Sequence, residues 1–173
     1  MTPHKPTIDL ILGTFFSTSF ARCSGVKLHR TRIVESLLSS CLERDGHRIL
    51  VDSDRAVLAA ERQFDPDRAF ARTMHAEDLL FAIGIFIAPE WLAVDTLVRR
   101  RQLEVAENLV AHLIDTQLVR EDGFECMLLD LRFALDRGLA GVTAERREPK
   151  AKGSVRRAEP GGPSVRPASG QVP

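Results

Sequence analysis

Residues 7–20 are rich in Ile, Leu, Phe and Thr and lie between Pro6 and Ser24-Gly25, a composition that predicts one strand or a short hairpin. In residues 27–44 the period lengthens. Leu28, Ile33, Leu37, Leu38, Cys41 and Leu42 recur at helical spacing, and Asp45-Gly46 closes the segment. Ile49-Leu50-Val51 then reads as a short buried strand, and Asp52-Ser53-Asp54 opens a helix over about 55–64. Asp65-Pro66-Asp67 interrupts that helix and starts another, from Arg68 into the region 79–82. Residues 83–88 carry Ile83, Ile85 and Ile87, enough β-branching for a strand, although a buried helix fits the same periodicity. The strongest helical segment is 89–118, with a stripe of Leu97, Val98, Leu103, Ala106, Leu109, Val110, Leu113 and Ile114. Residues 126–129 form a second short apolar run, and 131–139 read as a helix.

Strands alternating with helices imply an α/β fold: a small, mostly parallel central sheet flanked by helices, rich in helix, with a mainly α arrangement as the alternative. The length of 173 residues suits one globular domain, placed at residues 1–143. Residues 144–173 hold five prolines, four glycines and almost no large apolar side chain. Such a segment cannot bury enough surface to offset its ordering entropy, so a disordered basic tail is expected there.

Charge sharpens that division. The formal net charge of zero conceals seven basic and three acidic residues in 144–173, against 17 basic and 21 acidic in 1–143. A body at −4 does not suit a general nucleic-acid binder. Three cysteines without a C-x-x-C pair indicate neither a disulfide framework nor a thiolate zinc site, and a reducing, cytoplasmic setting is expected. Asp9, Thr14, Ser17 and Ser19 dilute the N-terminal apolar stretch too much for a secretory signal. The apolar run 79–88 is about half the length needed to cross a bilayer, so no membrane association is expected.

The pattern closest to chemistry is Asp52-Ser53-Asp54, an acidic turn between an expected strand and a helix. In open α/β sheets ligands gather beyond the carboxyl ends of the strands, and carboxylates there suit hard cations. This segment resembles the PIN-domain nucleases, whose first strand ends in Asp-Thr/Ser-Asn before an apolar helix; here Asp54 stands in place of the Asn. A later acid of the family falls on Asp95, or less well Glu90. An acid within the following helix falls on Glu107 or Asp115. The family's last strand, followed by Asp and then Phe, matches Cys126-Met127-Leu128-Leu129-Asp130 with Phe133.

The resemblance covers roughly residues 48–141. It implies a metal-dependent endoribonuclease, with Asp52, Asp95 and Asp130 catalytic and Asp52, Asp95, Asp115 and Asp130 holding Mg²⁺ or Mn²⁺. Ser53 would orient a carboxylate or a water. RNA is then the substrate, and a neutralising protein a possible partner, as for the toxins of that family. The metal would lower the pKa of a bound water and stabilise charge on the phosphodiester.

Each acid also has a structural explanation. Asp52-Ser53-Asp54 and Asp95-Thr96 are good helix caps, and Asp130 is an ordinary surface carboxylate at an element junction. His29, His47, His75 and His112 share no metal-ligand spacing. Arg99-Arg100-Arg101 could contact phosphates, or form a solvated face balanced by Glu104 and Glu107. Trp91 reads as a core or interface anchor. The rival function is a non-catalytic helical interaction or regulatory protein whose helix 89–118 offers the partner surface. A third is a DNA-binding regulator that uses 27–44 or the arginine run.

Overall fold

The computed structural model describes residues 5–147, and within them the chain is helical throughout. Seven α-helices follow in order: α1 (Ile8–Ala21), α2 (Gly25–Asp45), α3 (Asp52–Phe64), α4 (Ala69–Thr73), α5 (Ala76–Phe86), α6 (Thr96–Asp115) and α7 (Glu125–Arg147). Short 3₁₀ turns sit at Gly46–Ile49 and Glu121–Gly123. Among the described residues there is no strand, only an isolated antiparallel bridge between Thr7 and His75. The expected α/β fold with a central parallel sheet is therefore overturned: the fold is all-α.

Each expected strand fails for a legible reason. In α1 the buried residues are Ile8, Ile11, Leu12, Phe15 and Phe16, a helical stripe at i, i+3, i+4, i+7 and i+8. Thr14 and Thr18 do not force extension, because their hydroxyls donate to the carbonyls of Leu10 (3.0 Å) and Thr14 (3.1 Å) one turn back. Ile49 closes a 3₁₀ turn, Leu50 is the buried extended residue after it, and exposed Val51 caps α3. Residues 83–86 finish α5, whose Leu79, Leu80, Ala82, Ile83 and Phe86 are all buried. The run 126–129 is the first turn of α7, where Leu128 begins a buried series with Leu131, Leu135 and Val142.

The core is built around α6, which buries Gln102, Leu103, Val105, Ala106, Leu109, Val110 and Leu113 and packs against α2, α5 and α7. Helix 89–118 thus shortens to Thr96–Asp115 and becomes the spine of the molecule. Residues 89–95 form an irregular link that Gln102 holds. Its amide donates to the carbonyls of Phe86 (2.8 Å) and Trp91 (3.0 Å) and accepts from Ala93 N–H (3.0 Å). Trp91, 9% exposed, donates its indole N–H to Asp45 (2.8 Å) beneath the Arg44 guanidinium, 4.4 Å from the ring. Gly46 is required by packing: a Cβ there would lie 2.6 Å from the buried Phe70 ring. Helix α7 continues to Arg147, past the boundary expected at 143, and the remainder of the expected tail lies outside the described residues.

Candidate functional site

The acidic residues singled out by the motif occupy separate helical positions. Asp52 is the first residue of α3, with its side chain 99% exposed and 3.3 Å from Arg55. Asp95 is the N-cap of α6 and accepts from the backbone N–H groups of Leu97 (2.9 Å) and Val98 (2.8 Å). Glu90 lies 3.7 Å from Arg48, and Glu107 is exposed on α6. Asp115 ends α6, and Asp130 is exposed on the second turn of α7.

Among the described residues no group of three or more His, Cys, Asp or Glu side chains is placed to hold a metal ion. Asp95 is already engaged as the cap of α6, and Asp52 stands exposed in the first turn of α3 with Arg55 beside it. The sheet whose strand ends would have gathered them is absent among the described residues.

A different concavity is present where α1 turns into α2 and both meet α6. The cleft has a volume of about 430 Å³. It is lined by Arg22, Cys23, Lys27, Arg101, His112 and Asp115, with Phe15 as its main apolar wall. Arg22 is the C-cap of α1, where a cation meets the helix's partial negative charge. Lys27 sits in the first turn of α2. From α6, the series Arg101, Asn108, His112 and Asp115 recurs at seven, four and three residues, so one helix face supplies the floor.

Arg101 is the built element of this cleft. Its side chain is only 12% exposed. Its Nε donates to Thr31 Oγ1 (2.9 Å), its Nη1 to Glu104 (3.2 Å), and its Nη2 to Cys23 Sγ (3.6 Å). Thr31 is itself fully buried and donates onward to the Lys27 carbonyl (2.8 Å). Three of the five guanidinium N–H donors are thereby engaged, and the other two have no protein partner among the described residues. Arg22 and Lys27 form no ion pair among the described residues, and the His112 ring lies 5.6 Å from the Phe15 ring.

Arg101 belongs to the arginine run of the sequence, whose three members part ways in the fold. Arg100 does pair with Glu104 (3.0 Å), and Arg99 reaches Glu145 (3.2 Å), whereas Arg101 turns inward. The signal that could have exposed the cleft is the polar stripe Arg101, Asn108, His112 and Asp115, which runs along the helix beside its apolar one. Nothing in the sequence marked Arg22 or Lys27.

No helix among the described residues is long and apolar enough to cross a membrane. Compared with protein families, curated proteins and solved structures, the chain matches none. The likeness to PIN-domain nucleases therefore rests on the sequence motif alone.

Proposed function

We propose that this chain is a non-catalytic, all-helical binding protein of regulatory type, and that its α1–α2–α6 cleft takes a small ligand bearing an anionic phosphate or carboxylate group. The observation that carries this reading is the cationic lining of one concave site on a body whose residues 1–143 net −4. Positive charge gathered in a concavity raises the local concentration of anions, even on a protein of opposite overall sign. A guanidinium already held by Thr31 and Glu104 loses little further freedom on binding, and its planar fork suits an anionic oxygen pair. A volume of about 430 Å³ falls within the range of small-molecule sites. An anion bound between Arg22, Lys27 and Arg101 would tie the end of α1, the start of α2 and the spine α6 together, which gives the ligand a route to the conformation of the junction.

The test is thermal unfolding in inorganic phosphate, in succinate, and in sodium chloride of matched ionic strength. Binding to the folded state stabilises it by RT ln(1 + [L]/Kd), about 1.4 kcal/mol at roughly ten times Kd. The expected result is a rise in Tm with phosphate or succinate beyond that in chloride, lost in the Arg22→Glu/Lys27→Glu variant. Equal shifts in all three salts, or a shift the variant retains, would refute the proposal. RNA cleavage in Mg²⁺ or Mn²⁺ tests the nuclease reading. The expectation is no difference among the wild type, Asp52→Asn and Asp130→Asn.

A further inference from the structure

The α1–α2–α6 cleft is longer than a simple anion needs, and its two ends differ in charge. Phe15 meets His112 and Cys23 meets Arg101, so α1 runs antiparallel to α6 along the cleft. Arg101 and Asp115, fourteen positions apart on α6, are separated by about 21 Å along the axis at 1.5 Å per residue. Arg22, Lys27 and Arg101 stand at one end. The other end holds Asp115, with the His112 ring one turn before it.

Asp115 is the last residue of α6, where the partial negative charge of the helix end disfavours a carboxylate. It is exposed and forms no ion pair among the described residues. A cation seated there would relieve the repulsion and meet a carboxylate that no other cation holds. Between the two ends, Ser19 and Asn108 bring a hydroxyl and an amide to the walls, beside the apolar Phe15 and Val105. The Asn108 amide donates one N–H to the Glu104 carbonyl (2.6 Å) and keeps its second N–H and its carbonyl oxygen for a ligand. A chain of peptide groups can exchange hydrogen bonds with these walls, whereas an alkyl chain would set methylenes against them.

We infer that the cleft takes an extended dipolar ligand, a short peptide with free termini, its C-terminal carboxylate between Arg22, Lys27 and Arg101 and its N-terminal ammonium at Asp115. The inference rests on the anion-binding reading of the cleft and adds a second pole to it. An extended chain advances about 3.3–3.6 Å per residue, so five residues span about 17 Å and the side chains at the two ends reach over the remainder. Two residues span only about 7 Å and cannot touch both ends.

The probes are pentaglycine, N-acetyl-pentaglycine, pentaglycine amide and diglycine, which carry no side chains and so report the termini alone. Each is titrated onto the full chain at about pH 7, where the terminal amine is mostly protonated, and an apparent Kd is read from the rise in Tm. Pentaglycine is expected to bind roughly three- to fivefold more tightly than its N-acetyl form, the range of one exposed ion pair. It should also bind more tightly than the amide or diglycine. Asp115→Asn should erase the difference between pentaglycine and the N-acetyl form while keeping the wild-type response to succinate, and an unchanged far-UV spectrum shows that the variant is folded. If succinate and phosphate raise Tm but pentaglycine binds no better than its N-acetyl form, the dipolar ligand is overturned and the anion site stands. If no anion raises Tm, the anion site falls and this inference falls with it. An advantage of the free amine that survives Asp115→Asn also overturns it, as does diglycine matching pentaglycine.

Discussion

The three cysteines occupy three different environments, and their chemistry should separate accordingly. Burial, with the Asp45 carboxylate beside it, pushes the Cys41 thiol up to about 12, so at neutral pH almost no nucleophilic thiolate exists there. Cys126 is exposed and Cys23 half-buried. Titration with a thiol reagent at pH 8 should label Cys126 rapidly, Cys23 more slowly, and Cys41 only on unfolding. Rapid labelling of three thiols in the native protein would contradict this packing. Asp45 shows the opposite displacement: the hydrogen bond from Trp91, aided by Arg44, holds its carboxyl below the usual carboxylate range. A lowered folded-state pKa contributes stability that is complete above the unfolded value and is lost as pH falls through the folded one. Because Trp91 is the chain's single tryptophan, its fluorescence reports on this contact directly. Asp45→Asn should remove this contribution, read as a smaller loss of stability as pH falls through the carboxylate range. The anchoring role of Trp91 was visible in the sequence. Its partner was not, since 46 residues separate the two.

At the scale of elements, the helices that were readable are those whose apolar spacing is long and regular, α2 and α6 above all. Those misread as strands share one feature. Ile, Phe and Thr in 7–20 and Ile in 83–88 favour extended structure intrinsically, but burial of a helical stripe outweighs a preference that spans only about 1 kcal/mol. Short runs such as 49–51 and 126–129 contain too few residues to show any period. Misreading these runs also removed the acids from their supposed strand ends, so the motif at Asp52 turned out to be a helix start. The link between α5 and α6 depends on Gln102, a polar residue within an apolar stripe, and sequence gave no hint that it would be fully buried. Gln102→Leu would strand the Ala93 N–H and leave two carbonyls without their donor; the expected cost is about 2–4 kcal/mol, read as a lower urea midpoint. A loss under about 0.5 kcal/mol would mean that the link does not need this residue.

For the whole molecule, the clearest distinction is between a structure held by apolar packing and one held by a cation. Without a cluster of ligating side chains among the described residues, EDTA should leave Tm unchanged, and millimolar Mg²⁺ or Mn²⁺ should act only as salt. A specific rise in Tm with either ion, abolished in Asp52→Asn, would revive the metal reading. The far-UV spectrum should be that of an α-protein. The central place of α6 also bears on the order in which the molecule can be made. Helices α1 and α2 occupy the first part of the chain, yet Thr31 and Phe15 find their counterparts, Arg101 and His112, some 70 and 97 positions later. During synthesis α1 and α2 can settle on α4 and α5 as these emerge, while the faces of α2 and α5 that meet α6 stay uncovered until residues beyond 96 follow. A ribosome stalled before α6 would therefore leave that one seam open, and it is there that a chaperone would be needed.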